Sequence, residues 1–138
     1  MISVRKQEVV KLEDVLHLYQ AVGWANYTHQ PQMLEQALSH SLAIYMALDG
    51  DAVVGLVRLV GDGFSSVFVQ DLIVLPSYQR QGIGSALMKE ALGDYKDTYQ
   101  VQLVTDQTEK TLGFYRSLGF ETLSTFDCTG MIWLDRKK

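Results

Sequence analysis

Apolar and polar residues recur with two different periods along this chain, and each change of period marks a predicted element. Residues 1–7, MISVRKQ, alternate apolar and polar and predict an edge strand that opens a sheet. Residues 11–22 set Leu12, Val15, Leu16 and Tyr19 at helical spacing, which gives one face to bury against that sheet. Residues 23–30, GWANYTHQ, break the period and read as a loop of aromatic and polar groups. Pro31 suits the first turn of a second helix over 31–41, with Met33 or Leu34, Ala37 and Leu38 inward.

A meander follows. Strands at 42–48, 52–60 and 64–74 are joined by turns at Asp49-Gly50-Asp51 and Gly61-Asp62-Gly63, and Pro76 ends the last strand. Residues 84–96 predict a helix with Leu87, Met88, Ala91 and Leu92 as its buried stripe. A strand at 99–106 and a helix at 108–120 come next, the latter stopped at Gly119. Residues 121–128 and 130–136 complete the sheet as two more strands. The order is β-α-α-β-β-β-α-β-α-β-β. It describes an α/β (α+β) fold: a mixed, mostly antiparallel sheet of about seven strands flanked by four helices. The strands on either side of the third helix are expected to be parallel, because a helical crossover joins them.

Composition narrows the class. With 138 residues the chain suits one domain, 1–138, with a core of its own. Twelve basic against sixteen acidic residues give a net charge of −4, and no basic tract interrupts it, which argues against nucleic acid as a partner. Cys128 is the single cysteine, so no intrachain disulfide forms. The N-terminus lacks an apolar signal segment, and apolar runs such as AIYMAL are too short for a bilayer. A soluble, cytoplasmic protein without a membrane partner is expected. His17, His29, His40 and Cys128 have no zinc-ligand spacing, so no metal is expected. Exposed edge strands leave a homodimer open.

The candidate chemistry centres on YQRQGIGSAL, Tyr78 to Leu87, where an apolar strand passes into a helix through two nearby glycines. A helix N-terminus offers unpaired N–H groups and about half a positive charge, so it suits an anion. The glycines also read simply as a tight turn. A dinucleotide-binding pattern needs a small residue where Leu87 stands, and a Walker pattern needs a Gly-Lys-Ser/Thr close, which is missing.

DLIVLPSYQRQGIGSAL resembles the acetyl-CoA-binding motif of the GCN5-related N-acetyltransferases (GNAT family): Gln79, Gly82 and Gly84 form its core, and Leu72, Val74 and Pro76 its lead-in. FYRSLGF, Phe114 to Phe120, resembles that family's second segment at the expected distance, so the resemblance covers the whole chain and implies the GNAT, or acyl-CoA N-acyltransferase, fold. It implies an enzyme that moves the acetyl group of acetyl-CoA directly to a primary amine of a small molecule or protein. The alternative is a non-catalytic acyl-CoA-binding or regulatory module.

On that resemblance, backbone N–H groups of Arg80, Gln81, Gly82, Ile83, Gly84 and Ser85 hold the coenzyme A pyrophosphate. The pantetheine arm lies in a splay or bulge beside the strand 68–75, and an N–H near Ile73 or Val74 polarises the thioester carbonyl. Tyr115 corresponds to the tyrosine that protonates the departing thiolate; its other reading is an aromatic packing residue. Asp71, beside the expected acetyl position, is a general base or an orienting carboxylate, with a water chain as the other proton route. Thr108 stands where the family often has asparagine and is a cofactor contact of reduced capacity. No acyl-enzyme is implied, so Cys128 reads as a small strand residue. The acceptor falls to Trp24, Tyr27 and His29, with Trp24 also readable as a core anchor. VGW and GMIW are similar to a branch with plant plastid arylalkylamine and protein lysine acetyltransferases.

Overall fold

Five strands and five helices form among residues 1–135, the part of the chain that the computed structural model describes. They fall into two compact units, residues 1–103 and the residues from Val104 on.

The first unit opens with β1 (Ile2–Gln7), α1 (Leu12–Ala21), α2 (Ala25–Thr28) and α3 (Pro31–Ser39). The short α2 lies inside the segment expected as a loop, so the described residues form five helices rather than four. Then come β2 (Ala43–Asp49), β3 (Ala52–Gly61) and β4 (Ser66–Val74), a 3-10 turn at Pro76–Tyr78, α4 (Ile83–Asp94) and β5 (Gln100–Leu103). The sheet order is β1-β2-β3-β4-β5. The first three pairings are antiparallel, and β4 pairs with β5 in parallel across the α4 crossover, as expected.

Both sheet faces are covered. Val15, Leu18 and Tyr19 of α1 and Leu34 and Leu38 of α3 pack on Ile44, Met46, Leu56 and Ile73. Leu18 belongs to this face although the predicted stripe omitted it, and Met33 stays partly exposed while Leu34 turns inward. On the opposite face α4 buries Ile83, Leu87, Met88 and Ala91. A Cβ at Gly55 would stand 2.9 Å from the Ile73 carbonyl oxygen and 3.3 Å from Leu87 Cδ1, so a side chain there would push β4 and α4 away.

The second unit holds α5 (Glu109–Ser117) and a 3-10 turn at Leu123–Phe126. The expected strands at 121–128 and 130–136 do not form among the described residues, and Arg136 lies outside them; the sheet has five strands rather than about seven. Their alternation states a local preference, but a strand exists only where a neighbouring strand completes its ladder. Met131, Ile132 and Leu134 are instead 94%, 82% and 70% exposed.

The β3–β4 connection supplies a pH prediction. Asp62 Oδ2 accepts from Ser65 Oγ at 2.6 Å, and Oδ1 accepts the N–H groups of Phe64, Ser65 and Ser66 at 2.7, 2.8 and 3.1 Å. The Ser65 hydroxyl first, then these backbone donors, hold the carboxyl well below the ordinary carboxylate range. A depressed folded-state pKa adds stability above the unfolded value, about 3.9, and that stability is lost as pH falls through the folded value. Asp62→Ala is therefore expected to lower the thermal unfolding midpoint at pH 7. Circular-dichroism melts on a pH series should show the gap to wild type narrowing below about pH 4.

Candidate active site

A single extra residue in β4 shapes the site. From Gly61↔Val67 to Leu59↔Val69 the β3–β4 ladder keeps one register, and continuing it would set Gln70 opposite Arg58. The ladder instead shifts between Arg58 and Leu59, so Asp71 faces Arg58. This is a β-bulge at Gln70. It transfers the strand from one face to the other: Val69 shares the α4 face with Leu59, whereas Asp71 and Ile73 turn toward α1–α3.

Asp71 and Arg58 are 2% and 4% exposed, the two buried charged residues among the described ones. Arg58 Nε donates to Asp71 Oδ2 at 2.7 Å, and the Tyr19 hydroxyl donates to the same oxygen at 2.8 Å. The Tyr27 hydroxyl donates to Oδ1 at 2.9 Å. Arg58 Nη2 donates to the Tyr27 hydroxyl oxygen at 3.2 Å, and Nη1 to Ser41 Oγ at 3.2 Å and the Ala37 carbonyl at 3.4 Å. Gln70 Nε2 reaches the Tyr27 oxygen at 3.4 Å. Burial, and then the Asp71 charge, raise the phenols of Tyr19 and Tyr27 above their ordinary range, so both remain donors. Burial alone would lower the Arg58 guanidinium, but Asp71 and the two tyrosines outweigh it and keep it charged.

Of the acceptor candidates, Tyr27 thus points its hydroxyl into this network. Its ring meets Tyr19 edge-on at 5.0 Å. Trp24 packs on the same core, 6.1 Å from the Tyr19 ring and 6.2 Å from that of Tyr27, in keeping with a core anchor. His29 is exposed at the end of α2, where its N–H closes on the Ala25 carbonyl.

Beyond the bulge, β4 has a free edge. Its ladder with β5 runs from Ser66↔Gln100 to Val69↔Leu103 and stops, so among the described residues Gln70–Val74, including Ile73 and Val74, is paired only on the β3 side. The strand then leads through the 3-10 turn to α4. Gln79 Nε2 donates to the Val74 carbonyl at 3.1 Å, and the Tyr78 hydroxyl to Asp49 Oδ2 at 2.6 Å, which ties this loop to the sheet. Arg80 and Gly82 both adopt left-handed backbone, φ 65° and 80°. Gly82 is the N-cap of α4, and Ala86 N–H to the Gly82 carbonyl is the first helical bond, so the amides of Ile83, Gly84 and Ser85 have no intrahelical acceptor. A Cβ at Gly82 would meet nothing within 4 Å, so it is the left-handed backbone and not crowding that favours glycine there. A free strand edge for amides and an uncapped helix end for phosphate fit the two polar parts of coenzyme A. Gly84, by contrast, has ordinary helical backbone in the first turn.

Tyr115 and Thr108 lie in the second unit. Tyr115, on α5, packs edge-on against Phe114 and Phe120 at 5.0 and 5.9 Å. Burial, and then the Asp106 charge, raise its phenol above the ordinary range. Thr108 is the N-cap of α5: its Oγ1 accepts from Thr111 N–H at 3.3 Å and donates to Asp106 Oδ1 at 2.7 Å. Its hydroxyl therefore already serves the helix. Cys128 is exposed and free.

Arg58 escaped the sequence reading, as did the part of Tyr19 that is not core. A signal was present: one cation in the apolar strand AVVGLVRLV, one carboxylate in the next, both at buried positions of a hairpin. The register needed to pair them was hidden by the bulge. Asp71→Asn is expected to destabilise the fold by about 3–5 kcal/mol, because the Arg58 charge stays buried without its counterion. Urea unfolding measures the loss, and replacing both partners with apolar residues of similar volume should recover much of it.

The description "Acetyltransferase (GNAT) domain" matches residues 40–122 of this chain. A solved GNAT family acetyltransferase from Streptococcus pneumoniae is 79% identical, with a TM-score of 0.92 over 99% of each chain. Serotonin N-acetyltransferase 2 of rice, Oryza sativa subsp. japonica, is 30% identical over 66% of this chain. GCN5-related N-acetyltransferase 1 of Arabidopsis thaliana is 29% identical over 84% of it. The chain spans 48% and 59% of the lengths of these two chloroplastic relatives. A β4 opened by a bulge, an uncapped α4 beneath two left-handed residues, and these matches lead to one assignment: the chain belongs to the GNAT acetyltransferase family.

Proposed function

We propose that this chain is an N-acetyltransferase, one domain that moves the acetyl group of acetyl-CoA directly to a primary amine. The observation that carries the reading is the continuous path along β4: an edge free from Gln70 to Val74, running into the open N-terminus of α4. Acetyl-CoA supplies the activated thioester carbonyl. Backbone amides of Arg80, Gln81, Gly82, Ile83, Gly84 and Ser85 bind its pyrophosphate, and Gln79 holds their loop to β4. An N–H of Ile73 or Val74 polarises the carbonyl. The amine nitrogen bonds to the carbonyl carbon and the carbon–sulfur bond breaks. Tyr115, whose raised phenol stays protonated, gives its proton to the leaving thiolate. The proton lost by the amine leaves through water. Asp71, whose oxygens accept three hydrogen bonds, one from a guanidinium, serves here as the orienting carboxylate.

The acceptor reading follows the segment around α2 that carries Trp24, Tyr27 and His29 and the similarity to a serotonin N-acetyltransferase, which makes an arylalkylamine the first acceptor class to test. A cytoplasmic homodimer belongs to the same proposal. Its support is the exposed apolar run Met131, Ile132 and Leu134, which a second copy would cover. Light scattering at micromolar concentration should give twice the chain mass; a monomer would remove this part.

Two variants test the activity. Gly82→Val combines a strained left-handed valine with a side chain over the amides, and calorimetry should show coenzyme A affinity falling at least about tenfold. Tyr115→Phe should keep that affinity and lower kcat by about 10²-fold or more, measured by thiol release on an amine panel. The alkaline limb of the wild-type kcat profile should lie above pH 10, since the phenol is raised from its ordinary value. Coenzyme A binding without turnover of any amine would overturn the reading.

A further inference from the structure

α2 has only four residues, Ala25–Thr28, too few to be stable by itself. It nevertheless carries Tyr27, is flanked by the other acceptor candidates, Trp24 and His29, and connects the two helices that cover the sheet. Among the described residues, the side-chain hydrogen bonds that tie it to the sheet are those of Tyr27. Tyr27 passes its hydroxyl between Asp71 Oδ1 at 2.9 Å and Arg58 Nη2 at 3.2 Å, with Gln70 Nε2 at 3.4 Å. These three partners are the bulge residue, the residue after it and the cation opposite. The Tyr27 oxygen thus donates once and accepts from two groups, the full capacity of a hydroxyl. Below the ring, Tyr19 and Trp24 fix its plane at 5.0 and 6.2 Å. Arg58 lies 6.0 Å from the Tyr27 ring centre.

Resting on the acetyltransferase reading, we propose that Tyr27 is a positioning residue. It latches α2 to the β4 bulge, and so presets the acceptor side of the site beside the strand edge that takes the thioester. Tyr27 does this without touching the amine. The latch acts where β4 leaves β5, between Val69 and Asp71, so one hydroxyl aligns the amine's approach with the point at which the strand edge opens. Tyr19 offers an internal control. Its hydroxyl bonds the same carboxylate at 2.8 Å but stands on α1, a helix of ten residues with its own buried face.

The test compares Tyr27→Phe with Tyr19→Phe. Each deletes one hydroxyl on Asp71 and keeps the ring, so each is expected to lower the thermal midpoint. Only Tyr27→Phe should raise KM for the best acceptor of an amine panel (serotonin, spermidine, a lysine peptide), by about tenfold, with kcat and coenzyme A affinity within about threefold. Only Tyr27→Phe should speed amide hydrogen exchange across residues 25–30. Equal effects of the two variants on KM and exchange, or no effect of Tyr27→Phe on either, would overturn the latch. Should the wild type bind coenzyme A and acetylate no amine, the activity reading falls, while the exchange comparison still decides whether Tyr27 holds α2.

Discussion

A carboxylate and a guanidinium removed from water cost several kcal/mol each, and they are tolerated only when their geometry and remaining hydrogen bonds are nearly complete. Arg58 and Asp71 meet that condition through an irregularity in the sheet. Were β4 regular, Gln70 would stand opposite Arg58 and Asp71 would turn to the α4 face, into apolar packing. The bulge at Gln70 brings the two charges together on the α1–α3 face, where Tyr19 and Tyr27 complete the carboxylate. Pair and bulge therefore hold each other in place. Apolar residues of similar volume would stabilise the fold as well or better, so the pair is best understood as what specifies this register against its one-residue alternative.

The same irregularity organises the rest of the site. β4 stays with β5 through Val69 and departs from it where the bulge begins. Its free segment, Gln70–Val74, ends at Leu75, whose N–H returns to the Val54 carbonyl and steers the chain into the turn before α4. The position of the open helix end relative to the open strand edge is set by Gln79 on Val74 and Tyr78 on Asp49. The open strand edge and the open helix end are thus both referred to one rigid strand. Rigid strands give more exact placement than loops do.

The division of labour agrees with the family match. Residues 40–122 carry β2 to α5, which hold the strand edge, the glycine loop and Tyr115. The acceptor candidates lie before that span, on α2 and at its two ends. The network of Asp71 crosses this border, for Tyr19 and Tyr27 stand outside the matched span and Arg58 and Asp71 inside it. The segment before the matched span is thereby joined to β3 and β4 by hydrogen bonds rather than by the backbone alone.

By itself the sequence determined the edge strand β1, the β2–β4 meander, the helices α1, α3, α4 and α5, the parallel crossover into β5 and the strand-to-helix junction at Gly82. These follow from periodicity, turn chemistry and helix-end electrostatics, all of which act over a few residues. It also marked Asp71 and Tyr27 as unusual. What it left open depended on partners distant in the chain. Arg58 meets Asp71 only after a register shift that no local pattern announces. Tyr27, expected as a substrate contact, donates to Asp71, 44 residues away, because burial demands that a phenol find an acceptor. Residues 121–128 and 130–135 alternate like strands and yet form none among the described residues, since a strand is completed by its neighbour and not by its own sequence.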